Sequence, residues 1–367
     1  MDLFSVSFLA LALMLPASSS GDVIKGAYHY YDSGVDPAGI NAMPFTHLYY
    51  AFAKLDPSTY SVLPPDSDNG RIAAFTPAVR QSNPDVQTML SIGGGGSSSS
   101  STIFSSMAAS STARANFIRT SIALARQYSF DGLDLDWEYP STAADMANFG
   151  TLIQEWQAAV VAENAADPLL LAAAVYFTCD YYTGNTYPVA SISDNLDWVN
   201  IMAYDFWEWQ PNKTGIHTAL YKSDDTEPMV STDGGVSAWL SAGLPPQKTM
   251  LGLASYGRTW YLESPATSNG IGAAATGAGP VYSYDMVQSF IQSSSATCRR
   301  DSTVSVGVYC YGLVGSSQTL WVGYDDATSI SAKVNYLKGR QMGGYFFWRL
   351  GFDGNGVLAA QASATMG

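Results

Sequence analysis

At 367 residues and 47% hydrophobic content, the chain is long enough for one large domain with a substantial buried core. Its formal net charge of −14 lacks the basic footprint that phosphate backbones require, which excludes a nucleic-acid partner and leaves a neutral polymer open. Acidity of this size also suffices simply to keep a protein soluble.

Residues 1–20 read as a secretory signal. A short apolar run over 8–16 precedes Ala17-Ser18-Ser19-Ser20, small residues suited to cleavage near Ser20-Gly21. The front end departs from the usual pattern, with Asp2 and no Lys or Arg before Ser7. The run is too short to span a bilayer, and no other apolar run is long enough. A secreted protein, extracellular or vacuolar and without a membrane partner, is expected.

Residues 23–30, 45–53 and 86–92 read as strands, rich in β-branched and aromatic side chains. The third runs into Gly93-Gly94-Gly95-Gly96 and a serine tract. A helical pattern starts near Ile103, so this tract reads as a βα loop and not a linker. Residues 113–128 are helical, with Phe117, Ile118, Ile122 and Ala125 on one face. Residues 131–138 form a fourth strand. Asp134, Asp136 and Glu138 share one of its faces; Leu133, Leu135 and Trp137 share the other. A row of carboxylates is costly unless paired, hydrogen-bonded or partly protonated. Neighbouring like charges drive pKa values apart, which suits an acid beside an anionic helper.

A helix follows over 143–164, with Phe149, Leu152, Ile153, Trp156 and Val160 as a core stripe. The apolar run 169–176 is a strand buried on both faces. Strand six covers 196–205, a helix over 236–242 starts near Asp233-Gly234, and strand seven covers 250–256. A helix over 329–338 leads into strand eight at 344–350. Eight short strands alternating with helices predict an α/β fold, a closed (β/α)8 barrel. A doubly wound sheet is the alternative; its phosphate loop is imitated only weakly by Gly270-Ile271-Gly272-Ala273-Ala274-Ala275, which follows no strand.

Residues 260–323 break the alternation. They are rich in Gly, Ser and Thr, with strand-like pieces at 304–311 and 319–323, and read as a small α+β insertion between strand seven and its helix. The expected layout is signal 1–20, barrel 21–259, insertion 260–323, and a closing barrel segment 324–367 with helix seven, strand eight and a C-terminal helix.

Of three cysteines, Cys298 and Cys310 are closest in sequence and form the disulfide candidate; Cys179 is left over. Asn212-Lys213-Thr214 is a glycosylation acceptor. His29, His47 and His217 show no metal spacing, and no metal or cofactor is implied.

Working residues of such a barrel cluster at the C-terminal ends of its strands. Glu138, Tyr176, Tyr204, Asp205, Tyr256, Arg258 and Trp348 all fall there. Aromatic rings beside carboxylates suit a sugar, whose C–H face packs on a ring while its hydroxyls find polar groups.

The spacing Asp131-x-x-Asp134-x-Asp136-x-Glu138 resembles, without departure, the signature of family 18 glycoside hydrolases. Ser91-Ile92-Gly93-Gly94 is similar to that family's strand-three motif, and Met202-Ala203-Tyr204-Asp205 to its strand-six motif. Trp348 falls where the family places the tryptophan beneath the scissile sugar. The likeness covers most of the mature chain and is nearest to plant class V chitinases, which carry an α+β insertion after strand seven. It implies a secreted endochitinase, a glycoprotein of plant defence, acting on chitin or chitooligosaccharides as a monomer. It implies retention of anomeric configuration by a substrate-assisted route. Glu138 would be acid and then base, Asp136 would orient the N-acetyl group, Asp134 would tune Asp136, and Tyr204 would hold the acetamido carbonyl. Asp205, Met202, Tyr256, Arg258, Tyr28, Phe52 and Gly94 would bind substrate, with Trp348 as the floor. Asp131 lies off the shared face and reads as structural. Trp207 and Trp209 extend the cleft or pack on the rim.

Two segments depart from the family pattern: Ala27-Tyr28-His29-Tyr30-Tyr31, where a Trp-rich start is expected, and Phe206-Trp207-Glu208-Trp209-Gln210. They bear on subsite preference and not on the reaction. The alternative function is a chitinase-like lectin that binds such glycans without cutting them. Retention of Asp134, Asp136, Glu138 and Tyr204 favours the enzyme. A third reading, suggested by the loop departures, is a preference for modified chitin oligosaccharides such as lipo-chitooligosaccharides.

Overall fold

The computed structural model describes residues 23–95, 101–207, 210–222, 230–263, 268–301, 306–315 and 317–367. Residues 1–20, read above as a signal, Gly96 with the serines up to 100, Trp209 and Val304 lie outside the described residues.

In chain order, β1 (Ile24–Tyr30) and β2 (His47–Leu55) are followed by β3 (Val62–Leu63), a short antiparallel partner of β2. Then come α1 (Arg71–Ser82), β4 (Gln87–Gly93), α2 (Ser101–Ala109), α3 (Ser111–Gln127), β5 (Gly132–Asp136), α4 (Ala143–Glu163), β6 (Leu170–Val175), α5 (Val189–Asn195), β7 (Trp198–Ile201), α6 (Thr232–Ser241) and β8 (Thr249–Ala254). A second sheet follows: β9 (Tyr256–Leu262), β10 (Ala275–Ala278), β11 (Tyr282–Ser283), α7 (Tyr284–Ser293), β12 (Thr297–Arg300), β13 (Val308–Val314) and β14 (Gln318–Tyr324). The chain ends with α8 (Ala327–Gly339), β15 (Gly344–Trp348) and α9 (Val357–Met366). Strands β1, β2, β4, β5, β6, β7, β8 and β15 are parallel neighbours, and β1 pairs with both β2 and β15, so the sheet closes into a (β/α)8 barrel.

The alternation along β5 sorts its side chains. Leu133 and Leu135 join the core between barrel and helices, and so does Trp137 just beyond. Asp134 and Asp136 point the other way, into an interior otherwise filled by Tyr28, Tyr49, Met89, Ala172, Ala174, Trp198, Met250 and Phe346. Their neighbours across β6 are Ala172 and Ala174. These small side chains leave volume for the carboxylates. Helix α4 starts from a reciprocal capping box between Thr142 and Asp145. Its stripe is buried, and Trp156 also donates its indole N–H to Ser121 Oγ on α3 at 3.0 Å.

Several bounds differ from the sequence expectations. The strand assigned to 196–205 ends at Ile201, and Asp205 adopts a left-handed φ of 63°. The strand assigned to 250–256 ends at Ala254; Tyr256 and Arg258 open the second sheet on β9 instead. The run is strand-like throughout, and only three-dimensional pairing reveals where it changes partner. Helix α1 gave no usable signal, because Pro77 lies inside it and it starts at Gly70 (φ 80°) with no side-chain cap.

The second sheet is antiparallel, ordered β10-β9-β14-β13-β12, and packs Val287 and Phe290 of α7 against Val308, Leu320 and Val322. Cys298 and Cys310, opposite each other on β12 and β13, form a disulfide; Cys179 is a buried free thiol.

Asp131 lies outside the barrel interior. Both of its carboxylate oxygens lie 2.7 Å from Arg80 Nη2, and Oδ2 accepts the Thr88 N–H at 2.6 Å, tying α1 to the β4–β5 edge. Asp131→Ala is expected to lower stability by about 2–3 kcal/mol, read as a lower urea midpoint at unchanged slope. An unchanged midpoint would remove this structural role.

Candidate active site

The C-terminal ends of the barrel strands surround a cavity of about 1100 Å³. Its wall brings together Tyr28 of β1, Phe52 of β2, Asp136 and Glu138 at the end of β5, Met202, Tyr204 and Asp205 after β7, Arg258 of β9 and Trp348 of β15. Asp134, Gly94 and Tyr256 are not on that wall.

Asp134 sits beneath the cavity, fully buried. Its Oδ2 accepts from Ser91 Oγ at 2.6 Å and from the Tyr28 hydroxyl at 2.9 Å, and its Oδ1 accepts from Asn200 Nδ2 at 3.5 Å. Asn200 also donates to the Tyr28 hydroxyl at 2.8 Å, and the Trp198 indole donates to Tyr49, whose hydroxyl donates to Asn200. Burial pushes the Asp134 carboxyl up to about 6, against hydrogen bonds that favour its ionised form.

Asp136 is buried one turn of the pleat higher. Burial raises its pKa well above the ordinary carboxylate range; the negative charges of Glu138 and Asp134 and a hydrogen bond with Glu138 raise it further. A hydrogen bond between two carboxyl groups requires one shared proton, so the pair titrates as a unit. The other oxygen, Asp136 Oδ1, is buried, and no described residue donates to it.

Glycines let the end of β4 and the loop after it pack closely on the end of β5. At Gly93 (φ 120°) a Cβ would lie 2.1 Å from the Asp136 carbonyl oxygen. At Gly95, on the wall, it would lie 3.2 Å from Glu138 Oε2. Gly94 (φ 86°) turns the chain beneath Phe52, which a Cβ would strike at 2.4 Å. Its part is backbone shape, and not the lining expected of it.

Tyr204 lines the same cavity as Asp136 and Glu138, with room made by Gly252, where a Cβ would come within 2.9 Å of its ring. Burial and the charges of Asp136 and Glu138 hold its hydroxyl well above the ordinary tyrosine range, so it stays a neutral donor. Beside it, Asp205 accepts from Arg258 Nε at 2.7 Å. Burial would raise the Asp205 carboxyl, but hydrogen bonds from His217 and Arg258 outweigh it and hold the group well below the ordinary range. Tyr256 lies behind this wall, 4% exposed. It meets Tyr204 edge-on and packs at a tilt on His217, because its strand belongs to the second sheet.

Trp348 is half-buried, stacked on Phe52 with ring centroids 5.7 Å apart and edge-on to Tyr28 at 5.7 Å. The rim carries Tyr176, Tyr181 and the exposed Tyr182 on one side, and the Lys54–Asp66 ion pair on the other. Trp207 is buried against Gly215 and packs on the barrel rim instead of extending the cavity.

Sequence reading missed Asn200, Tyr49 and His217 as parts of the site. Asn200 left one trace, a lone amide in the otherwise apolar strand Trp198-Val199-Asn200-Ile201. Among the described residues, no group of three or more His, Cys, Asp or Glu side chains is placed to hold a metal ion. What the arrangement offers is two carboxyls sharing a proton, a neutral tyrosine donor on the same cavity wall, and an aromatic floor.

The raised Asp134 pKa fixes a sign. Folded protein keeps a proton there that the unfolded chain releases near its ordinary pKa, so this group's contribution to stability falls as pH rises from about 4 to about 6. A shift of this size corresponds to roughly 3 kcal/mol. Urea unfolding of wild type and Asp134→Asn at both pH values is expected to show the larger loss in wild type. Parallel losses would place the retained proton elsewhere.

Comparison with known proteins agrees with this geometry. Residues 26–353 match the family described as Glycosyl hydrolases family 18. A class V chitinase of Arabidopsis thaliana is 42% identical over 361 residues, covering 96% of this chain and 92% of the relative. The crystal structure of a class V chitinase mutant from Nicotiana tobaccum in complex with NAG4 superposes with a TM-score of 0.87 at 39% identity, covering 94% of this chain and 99% of that one. A chitinase-like agglutinin from Robinia pseudoacacia superposes with a TM-score of 0.84 at 40% identity, covering 94% and 100%.

Proposed function

The chain belongs to glycosyl hydrolase family 18, and from that premise we propose that it is a secreted chitinase cutting β-1,4-linked N-acetylglucosamine polymers and oligomers with retention, by a substrate-assisted route. The observation that carries the reading is Asp136 Oδ1, a buried acceptor without a donor among the described residues, beside a proton-sharing Glu138. A buried acceptor of this kind calls for a partner, and the N–H of a 2-acetamido group supplies one.

In this mechanism the sugar ring lies on Trp348, its acetamido N–H donates to Asp136 and its acetamido carbonyl accepts from Tyr204. The carbonyl oxygen attacks the anomeric carbon as the glycosidic C–O bond breaks, and Glu138 gives its proton to the leaving oxygen. That proton is the one the pair shares, so its transfer leaves Asp136 anionic as positive charge builds on the acetamido group. Water, deprotonated by Glu138, then attacks the anomeric carbon from the face the leaving group vacated; the bond to the acetamido oxygen breaks, and the configuration is retained. Asp134 adjusts the charge on Asp136 from below, while Asp205 and Arg258 hold hydroxyls at the wall. Residues 1–20 would direct the chain to the secretory pathway, where the Cys298–Cys310 disulfide is stable.

A second reading has support of its own. The likeness to an agglutinin favours a lectin that binds the same glycans without turnover. Against it stands the acidic row with Tyr204, all in or directly beneath the cavity.

Hydrolysis of an N-acetylglucosamine hexamer, with products resolved by anomer, decides between them. Short β-anomeric products support the chitinase; tight binding without cleavage supports the lectin. Glu138→Gln is expected to lower the rate by roughly three orders of magnitude or more while keeping sugar binding, because it removes the proton transfer. Near-normal activity would remove Glu138 from its role. Asp136→Asn is expected to reduce turnover strongly and affinity little; a loss confined to affinity would overturn its part in orienting the acetamido group.

A further inference from the structure

His217 is fully buried and lies outside the cavity wall, yet its contacts converge on a residue that is on it. Its Nε2 is 3.2 Å from the carbonyl oxygen of Tyr256. A carbonyl can only accept, so Nε2 carries a proton. Its Nδ1 faces Asp205 twice, 3.4 Å from the backbone nitrogen and 3.4 Å from Oδ1. Unprotonated, Nδ1 accepts the Asp205 N–H; protonated, it donates to the Asp205 carboxylate. In both states the ring ties Asp205 to Tyr256. The His217 carbonyl meanwhile accepts the N–H of Phe206, the next residue along, at 3.1 Å.

Asp205 needs such a tie. Its φ of 63° is a conformation that a residue with a side chain holds only when its surroundings impose it. Two residues along β9 from Tyr256, Arg258 grips the Asp205 carboxylate from the cavity side. The loop after β7 is therefore held to one strand of the second sheet at two points, by Arg258 directly and by the Tyr256 carbonyl through His217.

We propose that His217 is a positioning residue. It holds Asp205 in its left-handed conformation and fixes the Asp205 carboxylate beside Arg258, so that both meet the sugar as one preformed pair. This rests on the chitinase reading for what occupies the cavity. It assigns His217 no contact with substrate and no share in proton transfer.

Three variants separate positioning from packing. His217→Asn keeps polar atoms near the Nδ1 position, where they reach Asp205, and drops the tie to Tyr256. His217→Gln reaches the Tyr256 carbonyl and loses Asp205. His217→Phe keeps the ring and loses both. Steady-state hydrolysis of the N-acetylglucosamine hexamer is measured for each, alongside its melting temperature. The expected result is an intermediate loss of kcat/KM, about threefold, for Asn, which keeps only the Asp205 end of the tie, and a loss of about tenfold or more for Gln, which gives up the hydrogen bond to the charged partner. The two variants should melt at similar temperatures. If Phe folds, it should lose at least as much activity as Gln. Equal kcat/KM for Asn and Gln, or wild-type kcat/KM for a folded Phe variant, would overturn the proposal. Absence of cleavage by the wild type would sink the chitinase reading separately. The same variants would then be ranked by affinity for the hexamer, with the same order expected and equal affinities refuting the positioning role.

Discussion

Two carboxyl groups buried inside a barrel set the terms for everything around them. Asp134 and Asp136 lie in an interior otherwise built of rings, Met and Ala, and ionised groups there are costly unless they are hydrogen-bonded or share a proton. The structure uses both remedies at different depths. At the bottom, Ser91, Tyr28 and Asn200 surround Asp134 with donors, and Trp198 and Tyr49 hold Asn200 and Tyr28 in a wider net. Higher up, Asp136 shares a proton with Glu138 and keeps its other oxygen buried, with no donor among the described residues. The carboxyl at the mouth is thus the end of a column, and it shares a proton with the member below it.

Space for that column comes from what the neighbours lack. Ala172 and Ala174 on β6 withdraw volume beside the two aspartates. Gly93 and Gly252 let the β4 loop and Tyr204 close in from either side, since a Cβ at each would overlap backbone or ring. Packing at this density tolerates few alternatives, so these small residues are as much part of the site as the acids.

The second sheet is more than an appendage. Its first strand follows barrel strand β8 after a single residue, Ser255, and brings Arg258 to the cavity wall and Tyr256 behind it. Arg258 and His217 together hold Asp205, so one wall of the cavity is shaped by a unit that contributes nothing to the barrel's closure.

The acidic row, the strand alternation and the pairing of Cys298 with Cys310 were legible in the sequence, because each depends on spacing along one strand or between near neighbours. A period of two fixes which side chains share a face whatever the strand packs against. The sequence left open where strands stop and which partners complete the site. Barrel strand and second-sheet strand run together across Ala254 and Tyr256, Pro77 masks a helix, and Trp207 reads equally as cleft or rim. Asn200 and His217 took their roles only from residues 66 and 12 positions away, Asp134 and Asp205, brought close by barrel closure and by a left-handed turn. Local periodicity determined the chemistry on β5; the long-range contacts that hold, surround and expose it exist only once the chain has closed on itself.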